Sequence, residues 1–114
     1  MAKYYTEPVM KNLRAVFEKV VMQWPQVRTK KMFGCPCYQA GGKLFAILVN
    51  DAVVFTHLPE SEREALALKF HLTIFEAAEK PGVGWPQAPF ASKADLAVLL
   101  PYIQASYQSA LEDR

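Results

Sequence analysis

Cys35 and Cys37 flank Pro36 in the stretch MFGCPCYQAGGK, residues 32 to 43, and two thiols this close raise metal binding and redox exchange as chemistries. A structural zinc site takes four ligands, and only His57 and His71 remain to supply imidazoles. Neither has a ligand-spaced partner of its own, so the second half of a zinc site is missing. Redox pairs use a Cys-x-x-Cys spacing at the start of a helix, whereas a bridge across one residue is geometrically poor and Pro36 lies between strand-like segments. The cysteines therefore read as small residues at a strand bend. No metal and no cofactor is expected.

Nucleophilic catalysis finds no better footing. Helix capping explains Ser61 and Ser92, no nucleophile elbow is present, and His57 and His71 lack a local carboxylate partner. Gly41-Gly42 is not followed by the Lys-Ser/Thr of a phosphate loop. The chain is thus read as a non-enzyme. Trp85, set between prolines, reads as a plug at the edge of a core, and a ligand pocket built on Trp85 and Tyr38 is kept as a third alternative.

The positive signal is the run Val27-Arg28-Thr29-Lys30-Lys31-Met32. In a strand Arg28 and Lys30 share a face and Lys31 points the other way. Mobile cations of this kind contact phosphate, and Lys11, Arg14 or Lys19 on the preceding helix would extend the patch, so nucleic-acid binding through Arg28, Lys30 and Lys31 is one reading. Charges also guard strand edges against pairing, and a formal charge of +2 is low for a nucleic-acid binder. A solvated strand is the other.

These residues must be positioned by elements that 114 residues and 52% hydrophobic content can support, which is one domain spanning 1–114 with a single core and no disulfide or metal staple. Apolar stretches have strand length, and the N-terminus MAKYYTEPVMKNL has no apolar core of a secretory signal, so a cytoplasmic location is expected, with both thiols reduced. Charge is uneven along the chain: residues 1 to 43 carry a net +6 and the remainder a net −4. Folding that kept these apart would give a basic and an acidic face.

Thr6 with Glu7 and Pro8 opens a helix whose inward stripe is Val9, Leu13, Val16, Phe17, Val20 and Trp24, stopped by Pro25. Strands follow over Val27 to Phe33, Cys37 to Gln39, Leu44 to Val49 and Ala52 to Leu58, an antiparallel meander turning at Gly41-Gly42 and Asn50-Asp51. Both alternate faces of Leu44 to Val49 are apolar. A central strand covered by helices on one side and by more protein on the other is expected, and with the apolar C-terminal helix this points to a homodimer. Ser61 and Glu64 suggest a capping box for a short helix reaching His71, and Thr73 to Ala77 a further strand. The run PGVGWPQAP, 81 to 89, reads as a loop or irregular edge strand because proline cannot donate to a ladder. Ser92 and Asp95 cap a last helix bearing Leu96, Leu99, Leu100, Ile103, Tyr107, Ala110 and Leu111, which Pro101 should kink or split.

A helix, a basic strand ending in Met32-Phe33-Gly34, Tyr38 after the bend, Gly42-Lys43-Leu44-Phe45-Ala46-Ile47, a Val-Val-Phe strand and a closing helix together resemble the TfoX N-terminal domain-like family, over Lys11 to Leu111. YjbR-like domains are the nearest alternative. Cys35-Pro36-Cys37 departs from the family pattern, which commonly places a glycine or small residue there, and full-length competence regulators continue into a C-terminal helix-hairpin-helix domain that a stand-alone copy would lack. The resemblance implies a secretion-chaperone-like α+β fold: an antiparallel meander flanked by N-terminal, middle and C-terminal helices. It implies no catalytic residues. It places Met32, Phe33, Gly34, Tyr38, Gly42 and Phe45 in a structural motif and suggests a regulatory, competence-related module acting through protein contacts, with DNA as the alternative partner.

Overall fold

The computed structural model describes residues 4–32, 34–75 and 84–113. Helix α1 (Glu7–Val21) is followed by strands β1 (Val27–Met32), β2 (Cys35–Ala40), β3 (Lys43–Val49) and β4 (Ala52–Phe55). Helix α2 (Glu60–Ala67), strands β5 (Thr73–Phe75) and β6 (Trp85–Pro89) and helix α3 (Lys93–Glu112) complete the order. All strand pairings are antiparallel in one six-stranded sheet of order β1-β2-β3-β4-β6-β5. The protein is an α+β domain, and its first four strands form the meander that the alternating pattern predicts.

Gly41 and Gly42 both take positive φ, +59° and +86°, which matches the right-handed twist of a two-residue hairpin. At the next turn only Asp51 is left-handed, at +57°. Asn50 instead fastens the N-terminal segment: its Oδ1 accepts from Thr6 N at 2.9 Å, its Nδ2 donates to Thr6 Oγ1 at 3.3 Å and its backbone N donates to Tyr4 O at 2.9 Å. With Thr6 engaged in this way, its side chain does not cap α1. Met10 Sδ accepts from Asp51 N at 3.2 Å, which rotates the helix relative to the expected stripe. Val9 is 61% exposed, and Met10, Phe17 and Val21 are the buried residues.

Phe45 to Val49 and Ala52 to Phe55 are buried on both alternating faces, so the chain itself covers both sides of β3 and β4. The doubly apolar strand therefore does not call for a second subunit. Helix α1 packs Phe17 onto Tyr38, with ring centroids 4.9 Å apart. Helix α3 is held to β3 by Ser106, which is wholly buried; its Oγ donates to Phe45 O at 2.7 Å and accepts from His57 N at 3.2 Å. A register shift after Tyr38 accommodates Phe45, whose ring meets Tyr107.

Strand β2 begins at Cys35 rather than Cys37, β4 ends at Phe55 rather than Leu58, and α2, α3 and β6 also differ from the sequence expectation. Helix α2 begins at Glu60 with Pro59 as its N-cap and no side-chain cap, so Ser61 and Glu64 form no capping box, and the helix ends at Ala67 rather than near His71. Helix α3 runs unbroken through Pro101, which is exposed, and Ser92 Oγ accepts from Asp95 N at 3.3 Å as its sequence suggests. Strand β6 is not at the edge but lies between β4 and β5. Its residues 87–89 pair with β4 and 85–87 with β5, so Pro86 and Pro89 each have a partner strand on one side only. A residue that cannot donate is tolerated where one side of the strand is open. Residues 76, 77 and 81–83 of the expected strand and loop lie outside the described residues.

Candidate functional site

Strand β1 forms one edge of the sheet, and its four central residues, Arg28 to Lys31, are exposed. Its register sets Thr29 opposite Tyr38, Lys30 opposite Cys37 and Lys31 opposite Pro36. Paired residues share a face, so Thr29 and Lys31 point to the side where α1 covers Tyr38, while Arg28 and Lys30 point to the other. The division expected from the sequence is the one found.

Between α1 and this edge lies a cleft of about 710 Å³ lined by Tyr5, Glu7, Arg14, Glu18, Thr29, Lys30, Lys31, Gly34 and Pro36. A chain of hydrogen bonds runs along its helical wall. Tyr5 OH donates to Glu7 Oε1 at 2.6 Å, Arg14 Nη1 donates to the same oxygen at 2.7 Å, Arg14 Nε donates to Glu18 Oε2 at 3.2 Å, and Tyr38 OH donates to that oxygen at 2.7 Å. Helical spacing explains part of this: Arg14 and Glu18 are i,i+4 neighbours, and Glu7 stands two turns before Arg14 on the same face.

The environment shifts each titrating group in a consistent direction. Burial, then the hydrogen bond to Glu7, pushes Tyr5 up to about 12. Tyr38 is pushed far above the phenol range by burial and by its bond to Glu18. Glu7 is held below its ordinary value by the hydrogen bonds from Tyr5 and then Arg14, with the charge of Lys31 adding to them. Arg14 is fixed in its charged form chiefly by its bond to Glu7. Both phenols are therefore proton donors to carboxylates near neutral pH, and neither is a general base.

Gly34 takes φ +74° at the mouth of the cleft, with open space where a side chain would stand, as a backbone bend there requires. Of the other motif residues, Met32 packs partly against the core, Tyr38 and Phe45 are wholly buried and Gly42 serves the hairpin. Phe33 lies outside the described residues. Arg14 joins the basic strand at the cleft, though two carboxylates hold it; Lys11 and Lys19 do not line the cleft.

Cys35 and Cys37 lie within β2, not at a bend before it, and both are wholly buried. Burial raises their thiols to about 12 and about 11. Among the described residues no group of three or more His, Cys, Asp or Glu side chains converges as a metal site would require. Trp85 stacks on Phe75, with ring centroids 6.4 Å apart and planes 14° apart, and β3 and β4 separate its strand from that of Tyr38, so the two do not share a pocket.

His57 does have a carboxylate partner, 56 residues away in the chain: Nε2 lies 2.9 Å from Asp113 Oδ2 and Nδ1 lies 2.8 Å from Ser109 Oγ. Ser109 and Asp113 sit one turn apart at the end of α3, a spacing visible in the sequence, but their common partner follows β4. Neither cavity includes these residues, and the arrangement fastens the end of α3 to the segment after β4. His71 stands apart, in a hollow of about 310 Å³ with Asn50, Asp51 and Thr73.

The fold defines an α+β domain with one basic, open sheet edge. No helix among the described residues is long and apolar enough to cross a membrane. Comparison with protein-family models, curated proteins and solved structures finds no match.

Proposed function

We propose that the chain is a non-enzymatic, TfoX-like regulatory module that acts by contact, and that an acidic, extended segment of a partner protein adds to the free edge of β1. The observation that carries this reading is the place of β1, at the sheet edge with Arg28 to Lys31 all exposed. An edge strand offers unpaired backbone groups as a template, and pairing a segment there gives affinity through main-chain hydrogen bonds and selectivity through alternate side chains. Arg28 and Lys30 on one face and Lys31 on the other favour acids at alternating positions of that segment. The Met32-Phe33-Gly34 and Phe45-Ala46-Ile47 signatures support the family likeness.

The test is fluorescence anisotropy of a labelled peptide alternating Glu and Thr, compared with one in which proline replaces every second residue. Binding of the first alone, lost when Arg28, Lys30 and Lys31 are changed to Glu, supports strand addition. Equal binding of both peptides, or of neither, refutes it.

Nucleic acid is the second reading, favoured because Arg28, Lys30 and Lys31 enter no ion pair among the described residues. Labelled duplex DNA in the same assay would then bind with a logarithmic salt slope of about −2.7, for three phosphate contacts. A flat salt dependence removes this reading.

A further inference from the structure

We infer that the cleft between α1 and β1 is a binding site for the phosphate group of a small phosphate monoester, held by Arg14 and Lys31. This goes beyond the edge-strand reading, since it concerns the cleft wall and not the backbone of β1.

Arg14 and Lys31 meet the carboxylates of Glu7 and Glu18 in the cleft, and Lys30, which lines it from the strand, directs its side chain to the other face of β1. The distribution of hydrogen bonds matters more than the balance of charge. Each carboxylate already accepts two internal bonds on a single oxygen, from a phenol and from Arg14. A cationic ligand would have to compete with Arg14 for them. The donors are less fully used. A guanidinium has five N–H groups, and the bonds of Arg14 to Glu7 and Glu18 engage one at Nη1 and the one at Nε. Lys31, which points to the α1 side, enters no ion pair among the described residues.

The guanidinium is also oriented in advance. Glu7 and Glu18 grip it from two directions, and Glu18 is itself fixed by the buried Tyr38. A planar donor set held in place loses little freedom on meeting an oxyanion, and several charge-assisted bonds to one phosphate are the arrangement in which arginine binds most selectively. Gly34 contributes space, because no side chain projects from its left-handed backbone at the mouth. A volume of about 710 Å³ exceeds a bare phosphate and leaves room for the organic portion of an ester. The unspent oxygens of Glu7 and Glu18 would accept from hydroxyls on that portion.

The experiment is a ¹H–¹⁵N titration of the whole chain, following the Arg14 Nε–H and the amides of Thr29, Lys31 and Gly34. Inorganic phosphate, acetate and chloride are added separately at matched ionic strength. Phosphate should shift these signals saturably, and Lys31→Gln should raise Kd about tenfold, the loss of one charge-assisted contact. Arg14→Lys should weaken phosphate in the same way while leaving strand addition by the Glu/Thr peptide intact, which separates this site from the edge. Lys31 is exposed, so its variant tests the site even where the Arg14 variant disturbs the helix. A linear response equal to that of chloride, an acetate Kd as low as that of phosphate, or an unchanged Kd in Lys31→Gln would each overturn the inference.

Discussion

Replacing Tyr38 by Phe tests whether the hydrogen-bonded chain beneath the cleft holds α1 to the sheet. Tyr38 is wholly buried, its hydroxyl donates to Glu18 Oε2 at 2.7 Å, and its ring packs on Phe17. The substitution keeps the ring and deletes one bond to a charged acceptor, a contribution of about 1.5–3 kcal/mol. Glu18 keeps its contact with Arg14 and is 26% exposed, so water recovers part of the loss and the lower end, about 1.5 kcal/mol, is expected. With a urea slope of roughly 1.5 kcal/mol/M for a small domain, the unfolding midpoint should fall by about 1 M at unchanged slope. Glu18→Leu strands the phenol in the interior without an acceptor and should cost at least as much. The double variant Tyr38→Phe/Glu18→Leu should cost less than the sum of the two by about 1 kcal/mol or more, because the phenol is no longer present to be stranded. Additive losses, or a Tyr38→Phe midpoint equal to that of the parent, would show that the network does not couple helix and sheet.

The remaining predictions concern acid, thiols and the bend. Glu7 and Asp113 lie below their ordinary values of 4.5 and 3.8, Glu7 through Tyr5 and Arg14 and Asp113 through His57 and then the charge of Lys43. Depressed carboxylates stabilise the fold above their unfolded values and lose that contribution as pH falls through the folded ones. Stability should therefore be steady down to about pH 5 and fall below about pH 4, less steeply in a Glu7→Gln/Asp113→Asn variant; an equally steep fall in that variant counts against both contacts. Cys35 and Cys37, buried and raised to about 12 and about 11, should resist iodoacetamide at mildly alkaline pH until the chain unfolds, as read by mass spectrometry, and prompt labelling of the native protein would contradict their placement. Gly34→Ala meets open space, so its cost of about 1 kcal/mol comes from φ alone, and an unchanged melting temperature would remove the left-handed bend.

The meander was legible because two signals agree over Val27 to Phe55: alternation or doubly apolar runs within strands, and glycine or Asx residues between them. The place of β6 was not. Two prolines in five residues argue for an edge when strands are assumed to be paired along their full length, and here each proline stands where one neighbour has ended. The rotation of α1 was hidden for a related reason. Val9 and Met10 fit an apolar stripe about equally well, and tertiary ties decide between them: Asn50 holding Thr6, and Asp51 meeting Met10, both more than 40 residues away. His57 illustrates the same limit, since its two partners become visible only once α3 lies beside the segment following β4.

The cleft follows from where α1 sits more than from what it contains. Glu7, Arg14 and Glu18 form a polar stripe that would face water if the helix crossed the middle of the sheet. Phe17 packs on Tyr38 of β2, only one strand from the edge. The polar flank of the helix is thereby brought over β1, whose register points Thr29 and Lys31 toward it. The sequence offers Lys11, Arg14 or Lys19 as an extension of the basic strand but does not choose among them, because neither element reports its distance from the sheet edge. Burial of Tyr38 removes its hydroxyl from water, and Glu18 turns inward to accept it, carrying Arg14 into the cleft. The guanidinium's position is thus linked to a core tyrosine, which is why Tyr38→Phe should perturb phosphate binding through Arg14 although Tyr38 does not line the cleft.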